Sequence, residues 1–250
     1  MEYIPSSAED ASLHKKFHAM NVNGVDCGRL STSKDTRLWR GEDGSFIIAV
    51  ERKSSAPERR RAEKVLQVVQ TELGAVEIPE EKLWSQIEAE KAHASQKSKA
   101  KAKYDRHKAF LYVHGGKCVG FCLVERIQEA YEVVSDESQP TDREESKAPT
   151  TLGESSAIST TTGASPALMG ISRIWTSNSH RKKGVARALL DCARKNFVYG
   201  LEVPKDMVAF SQPTESGGKL ARSWFGMEYG WKVYTDQDEL PRGKRKRDEE

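Results

Sequence analysis

Two hydrophobic rhythms alternate along this chain of 250 residues. Short runs rich in β-branched and aromatic residues read as buried strands at 46–50, 110–113, 119–124, 171–176, 207–210 and 231–234. Gly115-Gly116 joins the second and third runs as a hairpin. Strict alternation along 119–124 and its approach would place Cys118 and Cys122 on one face of that strand. Elsewhere the period lengthens to that of a helix. Pro57 opens one helix, whose apolar residues are Ala62, Val65, Leu66, Val69 and Leu73, and Gly74 ends it. Val185, Ala186, Leu189, Leu190, Ala193 and Phe197 mark a second, with Arg187, Asp191, Arg194 and Lys195 on its polar face. Leu220, Ala221, Trp224 and Phe225 mark a third.

Two stretches lack a core-facing stripe. Residues 79–103 are charged and helix-prone, the pattern of a solvated helix. Residues 135–165 are Ser-, Thr- and acid-rich with almost no large apolar side chains, so burial there does not offset ordering entropy. They read as a disordered insertion, and closing so long a loop costs little more than closing a short one. One domain plus such segments therefore fits the length better than two domains.

A net charge of +3 is too small to argue for nucleic acid by itself. The charge is clustered, with basic runs at 59–61, 97–108, 181–183 and 244–247. The four cysteines form no disulfide framework, which points to a reducing compartment. The first residues lack a signal peptide's pattern, and no apolar run approaches the ~18 residues of a membrane span. The sequence thus reads as soluble and intracellular. His14 and His18 have the spacing of a zinc finger's second half, but no Cys-x-x-Cys precedes them and Cys27 is a lone third candidate. Taken alone, they are two exposed histidines on a short helix.

Residues 170–197 organise the rest. A strand, the polar turn 177–180, the basic loop Arg181-Lys182-Lys183-Gly184 and a helix start together make an anion site. The first amides of a helix lack intrahelical partners, and its dipole favours negative charge there. Gly184 permits close approach of a ligand to the backbone.

Arg181-x-x-Gly184-x-Ala186 after a strand resembles the acetyl-CoA loop of the GNAT acetyltransferases. Ile171-Ser172-Arg173-Ile174-Trp175, Asn196-Phe197-Val198-Tyr199-Gly200 and Ala209-Phe210-Ser211-Gln212-Pro213-Thr214 resemble, more narrowly, the sister-chromatid cohesion acetyltransferases. The likeness is close over 170–234 and looser over 46–134.

The resemblance implies an α/β fold of the GNAT type, a mixed central sheet flanked by helices. Its parts would be a truncated C2H2-like half-finger at 1–30, the N-terminal half of the core at 40–134, the insertion at 135–166, the acetyl-CoA half at 167–236 and a basic tail at 237–250. It implies a chain that starts inside the finger, through truncation or a misassigned start, so that His14 and His18 hold zinc only with the missing half. It implies lysine N-acetylation from acetyl-CoA. The substrate would be cohesin's SMC subunit, with replication-fork proteins and chromatin as further partners and no membrane. The site would be nuclear, to which the tail's basic cluster adds an import reading beside that of a solvated terminus.

By the same resemblance, Ile174, Trp175 and Thr176 line the pantetheine arm. Lys182, Lys183, Gly184, Val185, Ala186 and Arg187, after Arg181, receive the pyrophosphate, and Thr214, Glu215 and Ser216 lie along the cofactor's distal side. Ser172, Asp191 and Gln212 handle the proton of a lysine whose amine, with a pKa near ~10.4, is otherwise protonated. Spacing alone makes Asp191 the i,i+4 surface partner of Arg187. Gln212 cannot ionise, although some relatives carry Asp there, which puts a two-carboxylate mechanism in doubt. Two other readings stay open: a chromatin- or DNA-binding module with a vestigial fold, and an acetyltransferase for small amines.

Overall fold

The structure, a computed structural model, describes residues 8–28, 36–88, 103–135 and 158–235. The chain opens with α1 (Ala8–Asn23), β1 (Val25–Asp26), β2 (Arg37–Arg40) and β3 (Phe46–Val50). Next come α2 (Ala56–Leu73), α3 (Glu80–Leu83), β4 (Gln86–Glu88) and β5 (Lys103–Asp105). The hairpin β6 (His107–His114) and β7 (Lys117–Arg126) precedes β8 (Glu129–Val133), β9 (Thr160–Pro166) and β10 (Met169–Thr176). The chain closes with α4 (Val185–Asn196), β11 (Val208–Ser211), α5 (Glu215–Phe225) and β12 (Lys232–Tyr234).

Among the described residues one mixed sheet has the order β2-β3-β6-β7-β10-β11-β12-β8-β9, with β1 on β7 and β4–β5 as a separate pair. Strands β10, β11 and β12 run parallel, and their neighbours pair antiparallel. Helices cover both faces. Val185, Leu189, Leu190 and Ala193 of α4 and Ala221 and Trp224 of α5 share one core with Ile47, Phe110, Ile171 and Phe210. Val65, Leu66 and Val69 of α2 share the other with Ile48, Leu111, Phe121 and Trp175, against which Phe17 and Met20 of α1 also pack. Each Leu or Val sealed in this way contributes about 1.5–3 kcal/mol of burial. That seating, more than intrinsic propensity, fixes the helices.

The middle of the sheet is one long ribbon. Gly170 faces Glu125, Pro166 faces Glu129 and Ala164 faces Tyr131 in an unbroken register. The links between β7 and β8 and between β9 and β10 stay bonded, with Ile127 N to Leu168 O at 3.2 Å and Ala167 N to Gln128 O at 3.0 Å. The far end of the ribbon also pairs with β12, Lys232 against Glu132, so the sheet curls back on itself. Ala130, Ala167 and Ala209 fill the inside of that curl with Tyr234. Gly170 is required there: a Cβ would lie 2.6 Å from the Tyr234 ring.

Three sequence expectations change. Residues 79–103 do not form a solvated helix at either described end. After the single turn of α3, Leu83 and Trp84 are buried, and the Trp84 indole donates to Glu63 Oε1 at 2.6 Å. The chain then extends as β4 against β5, while 89–102 lie outside the described residues. Those two apolar side chains and their anchor override the local helical preference.

Cys118 and Cys122 face opposite cores, Cys118 toward α2 and Cys122 toward α4. The cause is a register shift in the β6–β7 pairing between Tyr112 and Val113, opposite Gly120 and Cys118. One extra residue in β7 reverses the alternation. All four cysteines are free and buried.

The insertion is shorter than its composition implied. Residues 136–157 lie outside the described residues, but 160–166 form the edge strand β9. The threonines at 160–162 are β-branched and suit a pleated edge better than the acidic stretch before them.

Candidate active site

Strands β10 and β11 part company. Their parallel ladder pairs Met169 with Val208, Gly170 with Ala209 and Ile171 with Phe210, and then ends. On its other side β10 continues, from Arg173 against Leu123 to Thr176 against Gly120. Among the described residues, the edge of β10 that faces β11 has no strand partner from Ser172 onward. Two local causes combine. A bulge between Ile171 and Arg173 turns β10 away from its neighbour. Strand β11 stops because Gln212 adopts φ 26° and Pro213 has no N–H to extend a ladder.

The open edge leads to the basic loop. Ser177 is fully buried and its amide donates to Val119 O at 2.9 Å, which fixes the loop to β7. A single 3-10 turn, Asn178–His180, follows. Lys182, at φ 60°, and Gly184, at φ 80°, then reverse the chain into α4. Among the described residues no side chain caps that helix, whose N-cap is Gly184. The amides of Val185, Ala186 and Arg187 are therefore presented at its N-terminus without intrahelical acceptors. A Cβ at Gly184 would touch nothing within 4 Å, so the approach to these amides is open.

Lys182 and Lys183 are exposed beside the loop. Arg181 is turned toward α2, with Nη2 3.7 Å from Glu72 Oε1 and Nε donating to Thr176 O at 3.3 Å. Arg187 donates to Ser223 O of α5 at 3.0 Å. His180 shares its Nδ1 with the hydroxyls of Ser177, at 2.9 Å, and Ser179, at 3.0 Å. Burial, then the charges of Lys183 and His114, hold its pKa below the usual histidine value against an opposing pull from Asp43.

The expected site residues fall into groups. Ile174, Trp175 and Thr176 lie on the open strand, and 181–187 form the loop and the helix start. Ser172 follows the last paired residue of β10, and Gln212 follows β11, so both flank the mouth of the split. Thr214 caps α5, its hydroxyl accepting from Gly217 N at 3.3 Å. Glu215 pairs with Lys219 at 2.6 Å, and that hydrogen bond and charge lower its pKa. Ser216 is exposed in the same first turn.

Asp191 stands apart. It lies on α4, where its Oδ1 accepts from the indole of Trp224 at 2.8 Å, and Trp224 is 2% exposed. The i,i+4 pair with Arg187 is not formed, because Arg187 binds Ser223 instead. Ser172 lies in the bulge of β10, its hydroxyl 3.5 Å from Arg173 Nη1. Arg173 in turn reaches Val76 O beyond α2 at 3.3 Å. The structure brings Ser172 and Gln212 to the end of the β10–β11 ladder and holds Asp191 on α4 against Trp224.

Gly120 was missed from the sequence and is central to the site. A Cβ there would lie 2.5 Å from Val185 Cγ1 and 3.0 Å from Leu189 Cδ1, so its absence lets the first turn of α4 sit on β7. The signal was a glycine inside an apolar strand, which marks close approach. Beside the helix, Leu38 and Trp39 of β2 and Gly184, Ala188, Asp191 and Lys195 of α4 line an open groove of about 450 Å³.

The residues present do not fit a structural zinc. The rings of His14 and His18 are 6.4 Å apart on α1, and Cys27 is buried with its thiol near Val25 O. Among the described residues no three metal-binding side chains gather, and a structural site needs four.

Comparison with known proteins separates this arrangement from an ordinary helix start. A profile described as ESCO1/2 acetyl-transferase matches residues 165–234, the segment from the end of β9 to β12. Over that segment the chain resembles the ESCO1/2 acetyltransferases. It is 33% identical over 224 residues to N-acetyltransferase eso1 of Schizosaccharomyces pombe, covering 90% of this chain and 22% of that protein. It is 28% identical to human N-acetyltransferase ESCO1, covering 90% and 24%. Against N-acetyltransferase ECO1 of Saccharomyces cerevisiae it is 25% identical, covering 91% and 82%. The chain thus spans about a quarter of the length of the first two relatives. Its fold is similar to an xEco2 acetyltransferase domain bound to a K105-CoA conjugate, with a TM-score of 0.58 and 25% identity over 79% of this chain and 95% of that one. Among the described residues, no helix is long and apolar enough to cross a membrane.

Proposed function

We propose that this chain transfers the acetyl group of acetyl-CoA to lysine side chains of cohesin's SMC subunit in the nucleus, in support of sister-chromatid cohesion. Replication-fork proteins and chromatin are the partners this role implies. The observation that carries the reading is the split between β10 and β11 opening onto the uncapped start of α4. The CoA conjugate in the xEco2 structure supports it.

The residues fit the ligand. The free edge of β10 offers amides and carbonyls to the amide-rich pantetheine arm. The amides of 185–187, with Lys182 and Lys183 beside them, suit a pyrophosphate. Acetyl-CoA supplies an activated acyl group when bound. The chain's own task is to orient the lysine and let its proton leave. Ser172 and Gln212 flank the mouth and hydrogen-bond the amine or a water; neither is a base at neutral pH. In this reading the proton passes to solvent at the mouth. Asp191 acts at a distance, tying α4 to α5 through Trp224.

The test compares acetylation of a folded cohesin head domain with that of a free polyamine. Acetylation of the head alone supports the reading, and acetylation of the polyamine alone returns it to a small-amine enzyme. Acetyl-CoA binding without transfer to either leaves a binding module.

A further inference from the structure

The β10–α4 loop is held from three sides, and one of them is the N-terminal helix. Beneath it, Val119 of β7 accepts from Ser177 N. On the α2 side, Glu72 meets Arg181. On the third side the Ser179 hydroxyl donates to Val22 O of α1 at 2.7 Å, and the Trp175 indole donates to Asn21 Oδ1 at 3.4 Å. Trp175 belongs to the open strand, and Ser179 to the turn just before the basic loop.

The last turn of α1 is itself fixed. Phe17 and Met20 pack against the core that contains Trp175. Gly24 N donates to Met20 O at 2.9 Å, and a Cβ at Gly24 would lie 2.7 Å from Cys118 O of β7. Val25 then pairs with Cys118. That anchor lies two positions from Gly120, on which α4 rests.

We infer that the C-terminal turn of α1 is a positioning element of the cofactor site, with Asn21 and the Val22 carbonyl holding the open strand and the loop that presents the α4 amides. This rests on the acetyl-CoA reading above. The 3-10 turn is the last tightly bonded point before Lys182, Lys183 and Gly184, which are exposed and have two left-handed backbone conformations among them. Releasing that point widens the range of positions the amides sample, and ordering them again on binding then costs affinity. Asn21 and Val22 act through Trp175 and Ser179 and need touch no ligand.

The effect is reciprocal: if α1 favours the binding geometry, the bound cofactor must stabilise α1. The experiment measures the CoA dissociation constant by calorimetry for the full chain and for Ser179→Ala and Asn21→Ala, well below their melting temperatures. It also measures hydrogen exchange of residues 17–24 with and without CoA. One such hydrogen bond is worth about 0.5–1.5 kcal/mol, so each variant should bind CoA roughly two- to tenfold more weakly. Ser179→Thr, which keeps the hydroxyl, should bind like the parent, and CoA should slow exchange at 17–24. A purely structural role would lower the melting temperature and leave both readouts unmoved. Unchanged dissociation constants in both alanine variants, or exchange in α1 indifferent to CoA, overturns the inference alone. Failure of the parent chain to bind CoA overturns the acetyl-CoA reading as well.

Discussion

Replacing Gly120 by alanine tests how the anion site is built. The new methyl would lie 2.5 Å from Val185 Cγ1, 3.0 Å from Leu189 Cδ1 and 3.2 Å from Tyr112 Cβ. Carbon atoms prefer about 3.5–4.0 Å, so the first turn of α4 must retreat by roughly 1 Å. Val185 is 4% exposed and Leu189 is fully buried, so neither side chain has free space to turn into. Such overpacking costs about 1–3 kcal/mol. For a domain of this size that lowers the melting temperature by roughly 2–12 °C. The same retreat displaces the amides of 185–187, and acetyl-CoA should bind at least tenfold more weakly to the protein that remains folded. Thermal denaturation and calorimetry measure the two effects. Val185→Ala removes the nearest methyl, so the double variant should recover part of both losses, and a double-mutant cycle reads the coupling. Gly120→Ala with unchanged melting temperature and CoA affinity would refute the account of how α4 is seated.

At Gly184, φ 80° strains any side chain, so Gly184→Asn and Gly184→Asp should lose similar stability; only Asp should abolish the thermal shift given by acetyl-CoA, because it adds a negative charge at the helix start. Asp191→Asn keeps an oxygen for the Trp224 indole and should retain turnover within about threefold, whereas Asp191→Leu leaves a buried N–H unpaired and should cost about 1–3 kcal/mol in denaturant unfolding. A ~10²-fold or larger fall in turnover for Asp191→Asn at neutral pH would instead make it the base. Deleting 136–157 with a short Gly/Ser closure should leave cooperative unfolding intact, because Val134 N already meets Ser159 O at 2.9 Å; extending the deletion through 165 removes β9 and should lower the melting temperature. His180 has a lowered folded pKa, so the unfolded chain takes up its proton first as pH falls. Stability from this group is present above the ordinary histidine value of 6.5 and lost as pH falls from there through the lowered folded pKa, and His180→Gln should flatten the melting-temperature profile over that range.

Much of the site was legible because it is local. The strand, the basic loop with its glycine and the amphipathic helix that follows are contiguous, and each was marked by its own rhythm between Ile171 and Phe197. What the sequence did not show depends on registers set by other strands. Cys118 and Cys122 were placed on one face because alternation has no means of announcing a bulge, and Gly120, which lets the bulged strand meet Val185, looks like any glycine in a strand. The same limit governs Ser172. Its neighbours suggested a continuous strand, yet a second bulge lies there, opposite Leu123 and Val124, where β11 falls away. Spacing alone made Arg187, four residues back, the natural partner of Asp191, which the resemblance instead put among the proton-handling residues; in the structure Trp224, 33 positions on, takes the partner's place because α5 packs beside α4. In each case the missing information is a contact between elements distant in sequence. The two bulges lie on either side of β7: the one in the β6–β7 pairing at Gly120 lets α4 down onto the sheet, and the one in the β7–β10 pairing at Ser172 turns the edge of β10 free. A substitution that straightened either bulge would keep every residue of the basic loop and still be expected to weaken the site.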